Sequence, residues 1–181
     1  GHTDNSNFLV RFIVPAGYQG WMGTAVTQNH VDLYESANGY PIHHPSSGYN
    51  PNDPYKQRDP RLRMNVLYND RFWYDRNIEY YVGGRDYGSS LVNPMGYSIA
   101  KFWPEAHQRY KGTSTYLNYI FFRYAEILLN YAEATNEAYG PDGVVPGASK
   151  TARQAVNELR QRAQHVALPT DISNTRETMR E

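Results

Sequence analysis

The chain has 181 residues, with 18 basic and 18 acidic side chains and no cysteine. This length is sufficient for a real hydrophobic core. Zero formal charge gives no electrostatic reason to expect nucleic acid or an anionic membrane as a partner, and the absence of cysteine excludes disulfides, a thiol nucleophile and cysteine-ligated metals.

The first two thirds of the chain predict short elements separated by long loops. Residues 31–37 suggest a short helix, and the proline-rich stretch 41–60 reads as loop. β-Branched and aromatic runs predict short strands over residues 8–14, 62–68, 71–74 and 78–82, with Asn69-Asp70 as a turn. This part of the chain is therefore expected to be irregular, with few regular elements.

Two amphipathic helices are predicted in the last third. Tyr124-Ala125-Glu126 recurs seven residues later as Tyr131-Ala132-Glu133, which returns each residue to nearly the same helix face. A second apolar period runs through residues 149–164, after a loop from Gly140 to Gly147. We expect the two helices to form an antiparallel hairpin similar to a tetratricopeptide unit. A polar network is expected between them, formed by Glu126 and Glu133 together with Arg123, Arg160 and Arg162.

A third helix is predicted at the end of the chain. Asn174 followed by Glu177 suggests a capping box, and the sequence ends at Glu181 soon after it. We therefore expect the chain to be an internal piece of a longer protein.

Five sequence blocks carry a family resemblance. The run Phe-Arg-Tyr-Ala-Glu-Ile-Leu-Leu-Asn-Tyr-Ala-Glu-Ala-Thr-Asn-Glu occupies residues 122–137, and the upstream blocks occupy 32–41, 52–55, 58–62 and 101–102. In this order the blocks resemble the SusD/RagB family of nutrient-binding outer-membrane lipoproteins.

The resemblance implies a fold and a function. The fold is mainly α and SusD-like, with tetratricopeptide-like helical hairpins packed against a loop-rich region with a few short β-strands. The implied function is non-catalytic binding of an oligosaccharide at the surface of a Gram-negative cell. The partner would be a TonB-dependent transporter of the SusC type, and membrane attachment would use a lipid anchor outside this segment. We divide the chain into a loop-rich, candidate ligand-binding part (1–115) and a helical, C-terminally truncated part (116–181).

An aromatic and charged stretch is the candidate binding site. Exposed aromatic rings stack on the apolar faces of sugars, and flanking charged groups bond to sugar hydroxyls. These properties single out Trp73, Tyr74, Asp75, Arg76, Arg85, Asp86 and Tyr87. An alternative for Trp73 is that it fills the core, and exposure of Trp73 and Tyr87 separates the two interpretations.

Other functions remain open at this point. A peptide-binding member of the same family is one alternative, a glycoside hydrolase is a weaker one, and a purely structural helical scaffold is a third. Hydrolysis needs two carboxylates, one with a raised pKa, and candidates are Asp53, Asp59, Asp70, Asp75 and Glu79. Asp59, between Arg58 and Arg61, is more readily explained as a structural ion-paired residue. No cofactor motif is present, and His43-His44 lacks a third ligand at metal-site spacing.

Overall fold

The computed structural model describes residues 12–88, 96–101 and 120–180. Their contacts separate into two compact units. Unit 1 is drawn from Gly1–Asp32 and Arg61–Tyr119, and unit 2 from Leu33–Pro60 and Ile120–Glu181. The predicted strand over residues 8–14 lies largely outside the described residues; its described end, 12–14, is not a strand.

The described part of unit 1 starts at residue 12 and contains a glycine-rich loop and a short helix. The loop contains a 3-10 turn, Ala16–Tyr18, and α1 follows at Gln28–Asp32. The predicted helix over residues 31–37 was therefore placed too late. Ser36 instead forms an isolated antiparallel β-bridge with Arg58, so its backbone is not helical.

The predicted strand over residues 62–68 is wrong for most of its length. Helix α2 spans Pro60–Asn65, and only Val66–Leu67 is strand (β1). Proline suits the first turn of a helix because its fixed φ is helical and its missing N–H is not needed there. Leu62 is the buried residue of this helix, and Val66 and Leu67 of the strand that follows are buried as well.

Two small antiparallel pairs lie among the described residues of unit 1. β1 pairs with β4 (Ser98–Ile99), with Val66 opposite Ile99. β2 (Phe72–Trp73) pairs with β3 (Arg76–Asn77), so the second arm of this hairpin lies earlier than the predicted 78–82. The turn at Asn69-Asp70 is confirmed, with Asp70 at φ 63°. The core beneath these pairs consists of Ile13, Val14, Tyr18, Met22, Leu67, Trp73, Ile78, Tyr80 and Ala100.

The helical hairpin in unit 2 confirms the main sequence prediction. Helix α3 spans Tyr124–Tyr139 and α4 spans Ala152–Arg162, and the two are in contact. Leu128, Ala132, Ala152 and Ala155 form their buried interface. Alanines at this interface let the helix backbones approach closely.

Local hydrogen bonds set the ends of these helices. α3 stops at Gly140, and α4 begins with a capping box in which Thr151 and Gln154 satisfy each other's backbone N–H groups. The Tyr131 hydroxyl donates to the Lys150 carbonyl oxygen (2.6 Å), which ties the middle of α3 to the start of α4.

A short helix, α5, spans Arg176–Arg180. At its N-terminus, the hydroxyl oxygens of Thr175 and Thr178 each accept a hydrogen bond from the backbone N–H of the other residue. The N-cap is therefore Thr175, one residue later than the predicted Asn174. Asn136 Nδ2 donates to the Arg176 carbonyl oxygen (2.9 Å), which ties α5 to α3.

Residues 33–60 belong to unit 2 because a buried charge cluster holds them there. Arg160 donates to both Glu35 carboxylate oxygens (2.8 and 2.5 Å), and His165 Nε2 lies 2.8 Å from Glu35 Oε2. His165 also approaches the buried Asp59 carboxylate at 3.9 Å. The compact units thus do not follow the linear division at residue 115, and Arg160 bonds to the loop, not to Glu126 or Glu133.

The regular structure is mainly helical, as the sequence predicts. Within the described ranges, none of the helices combines the length and apolar character needed to span a membrane.

Candidate functional site

Three loop segments of unit 1 meet around Tyr18. Its hydroxyl donates to the Trp73 carbonyl oxygen (2.8 Å) and lies 3.3 Å from Asp75 Oδ1. The Arg76 guanidinium lies over the Tyr18 ring, 4.3 Å from its centroid. Burial raises the pKa of Tyr18 above its ordinary value, so the hydroxyl stays a donor. The loop around Tyr18 is therefore joined to the 73–76 hairpin.

A buried ion pair joins the third segment. Asp86 is fully buried, and Arg76 Nη2 donates to its Oδ1 (2.8 Å) while the Glu79 backbone N–H donates to Oδ2 (2.9 Å). These bonds compensate a carboxylate that would otherwise be costly to bury. A Cβ on Gly17 would lie 2.5 Å from both Arg76 Nη2 and Asp86 Oδ1, so only glycine fits beside the pair.

Trp73 lies in the core, as the second interpretation of the sequence had it. It is 6% exposed, packs in the unit 1 core, and meets Tyr74 edge-on at 5.1 Å. The Arg71 guanidinium lies 4.5 Å from its ring centroid. Trp73 therefore offers no open face for a ligand to stack on.

Some of the remaining predicted site residues are buried and others are accessible to solvent. Asp86 is interior and Arg76 is half-buried against it. Asp75 and Arg85 are exposed, and Tyr74 and Tyr87 are half-buried. Burial of both Trp73 and Tyr87 would have contradicted the predicted site at these positions. Trp73 is buried, but part of Tyr87 is accessible. Ligand binding by these residues stays a prediction.

Trp21 is an exposed tryptophan that is not among the predicted site residues. Its side chain is 44% exposed, and it lies between Gln19 (φ 62°) and Met22 (φ 51°), two non-glycine residues with left-handed backbones. Such strain persists only where the surrounding structure enforces it, and it is common at binding sites. The glycines at 17, 20 and 23 around a tryptophan were the available signal.

The loop that carries Trp21 lies close to the end of the predicted stretch. A Cβ on Gly88 would lie 3.2 Å from the sulfur of Met22, so the residue after Trp21 packs near the residue after Tyr87. The accessible aromatic and charged side chains of these two segments and the 73–76 hairpin are Trp21, Tyr74, Asp75, Arg85 and Tyr87, and we call this set the unit 1 cluster.

Two of the candidate catalytic acids, Asp59 and Glu79, make structural contacts. Asp59 is buried near His165, consistent with its predicted structural role. Glu79 accepts from Arg85 Nε (3.0 Å) and from the Arg85 backbone N–H (3.0 Å), and these bonds lower the pKa of Glu79 to about 2. A general acid needs the opposite shift. Over the part of the chain that is described, no group of three or more His, Asp or Glu side chains is placed to hold a metal ion.

The helical hairpin of unit 2 and the loop-rich unit 1 with its short strands agree with the SusD-like fold that the sequence predicts. The SusD family model, SusD_RagB, matches residues 2–181, so the chain belongs to the SusD family.

Solved structures agree with this assignment. A SusD-like protein from Bacteroides fragilis NCTC 9343 has a TM-score of 0.71 and 26% identity, covering 98% of this chain and 36% of its own. A SusD-like carbohydrate-binding protein from the same organism has a TM-score of 0.66 and 21% identity, covering 95% of this chain and 35% of its own. The chain thus spans about a third of these proteins' length. No curated protein matches it.

Proposed function

We propose that the protein containing this chain binds a glycan without cleaving it, and that the unit 1 cluster contributes to the site. The observation that carries the proposal is the exposed Trp21, in a unit that also exposes Asp75 and Arg85 and in a chain of the SusD family. A structural relative described as carbohydrate-binding supports the ligand class.

The chemistry of the cluster suits a sugar. An aromatic face covers the C–H groups of a pyranose ring, and carboxylate and guanidinium groups pair with its hydroxyls. Trp73 and Asp86 support the cluster from the interior. Trp73 packs the hairpin onto the core, and Asp86 fixes the Arg76 side chain. Rigid support of this kind lowers the entropic cost of binding.

Calorimetric titration with a panel of neutral oligosaccharides tests the proposal. Trp21→Ala should weaken binding about tenfold or more, the loss of one stacking contact. Tyr139→Ala, at an exposed aromatic residue of unit 2, should leave the affinity nearly unchanged. Binding of peptides with no response to any glycan would move the protein to the peptide-binding alternative, and release of shortened sugars would identify a hydrolase.

We further propose that the intact protein acts at the outer-membrane surface and delivers its glycan to a TonB-dependent transporter of the SusC type. Family membership supports this role. Co-purification of the full-length protein with such a transporter from the native membrane would test it, and a periplasmic or cytoplasmic location in fractionation would contradict it.

A further inference from the structure

Unit 2 presents an ordered aromatic pair on its surface. The rings of Tyr40 and His44 are stacked, with centroids 4.7 Å apart and planes 20° from parallel. Both side chains are partly exposed, and the loop residues on either side, Pro41, His43 and Pro45, are exposed. Each ring covers one face of the other, so the pair presents its outer ring faces and its edges toward solvent.

Polar groups surround this surface. The Tyr40 hydroxyl donates to Asp171 Oδ2 (2.9 Å), which leaves Asp171 Oδ1 and the lone pairs of the phenol oxygen as acceptors. His44 Nδ1 accepts from the Ser46 backbone N–H (3.1 Å), so in the neutral ring the proton resides on Nε2. A donor and several acceptors thus lie at the edges of the stacked rings, an arrangement that suits adjacent sugar hydroxyls.

The loop that carries the pair is held in one conformation. Asn38 Nδ2 donates to the Ser46 carbonyl oxygen (2.8 Å), and the Ser47 hydroxyl donates to the carbonyl of the buried Ile42 (3.0 Å). Gly39, at φ 88°, allows the loop to lie against Val166 and Arg160, since a Cβ there would be 3.0–3.1 Å from them. The aromatic pair is thus preorganised, which reduces the entropy lost on binding.

We propose that Tyr40, His44 and Asp171 form a second binding platform, for a neutral pyranose ring. The choice of ligand class rests on the proposed function, but the platform lies in unit 2 whereas the first cluster lies in unit 1. The Asp171 carboxylate disfavours uronic acids and other acidic sugars, because it would face a second negative charge at close range.

The test uses the whole 181-residue chain at pH 7.5 and neutral hexasaccharides of glucose, xylose, mannose and galactose. A Trp21→Ala background removes the stacking residue of unit 1. Binding is followed by calorimetry and by the NMR signals of the His44 ring. Within that background, Tyr40→Ala should weaken the remaining binding about tenfold or more. Tyr40→Phe keeps the stack but loses the bond to Asp171, and should weaken it less.

Controls separate recognition from folding. Tyr139→Ala removes another surface tyrosine of unit 2 and should leave the affinity unchanged. Hexagalacturonate, an acidic probe, should not shift the His44 signals. Tyr40→Phe and wild type share the same stacked loop, so they remain informative even if Tyr40→Ala unfolds.

The outcomes distinguish the two proposals. Glycan binding that depends on Trp21 but leaves the His44 signals and the Tyr40 variants unaffected would overturn the second platform alone. Absence of binding to every probe would overturn the proposed function and, with it, the platform. Residual binding in Trp21→Ala that shifts His44 and is weakened by the Tyr40 changes supports both.

Discussion

At the scale of single residues, buried carboxylates paired with arginine decide where the loops lie. Glu35 joins residues 33–60 to Arg160 and His165, and Asp86 joins the 85–88 loop to Arg76. An unpaired buried charge is far more costly than a lost surface contact. Removing one partner should therefore release the loop that the pair holds.

Glu35 should make stability depend on pH. Burial acts to raise the pKa of Glu35, but hydrogen bonds from His165 and Arg160 outweigh it and lower that pKa from 4.5 to about 2. Since the folded pKa lies below the unfolded one, the stabilisation is complete above about pH 5 and is lost as pH falls toward 2. Urea titrations of the wild type over this range should show the decline.

The matching variant is Glu35→Gln. At pH 7 it should reduce the free energy of unfolding by about 3 kcal/mol or more, because Arg160 stays buried without its counter-charge. Glu137→Gln, which breaks the exposed pair with Arg180, should change stability little. Equal effects of the two variants would contradict the assignment.

The two tryptophans should respond oppositely to truncation. Trp73→Ala removes a core side chain and should cost about 3–5 kcal/mol in chemical denaturation. Trp21→Ala, at a 44% exposed position, should cost less than about 1 kcal/mol. A large loss at Trp21 would show that its role is packing.

At the scale of elements, the helical hairpin depends on a narrow interface of leucine and small residues. Leu128 is buried against Ala152 and Ala155, whereas Leu129, its neighbour in sequence, is half exposed. One helix therefore provides both a core leucine and a surface leucine.

This pair gives a direct test of the hairpin. Leu128→Ala should cost about 2–5 kcal/mol of unfolding free energy, while Leu129→Ala should cost much less. The measurement is the urea midpoint of each variant at constant m-value. Similar losses at both positions would mean that the helices pack through a different face.

At the scale of the whole molecule, several large apolar side chains are exposed at the start of α3. The exposed fractions of Phe121, Phe122 and Ile127 are 87%, 80% and 55%. Exposed patches of this kind normally mark a surface that another chain or segment contacts.

We expect the isolated 181-residue chain to bind a hydrophobic dye at this surface. Replacing Phe121 and Phe122 together by serine should reduce dye fluorescence severalfold without lowering the melting temperature. Unchanged fluorescence would place the accessible apolar surface elsewhere. Size-exclusion chromatography of the two proteins would show whether the same surface drives self-association.

The helical hairpin and the family could be predicted from local sequence patterns. Helical period and the glycine stop at 140 act over a few residues, so they are readable without the fold. Ligand binding by the aromatic stretch 72–87 stays a prediction, with Trp73 now placed in the core. The strand predicted over residues 62–68 was wrong for most of its length. In so short a segment the same apolar residues fit both the alternating pattern of a strand and the spacing of a helix.

Only the tertiary structure decided which side chains reach the surface. Trp73 and Trp21 carry the same side chain, but the first is covered by Tyr74 and the core while the second is held outward by a strained loop. Likewise Arg160 finds its partner in Glu35, 125 residues away, which brings residues 33–60 to the helical unit. Burial and ion pairing depend on contacts between distant segments, and local sequence does not specify which segments will meet.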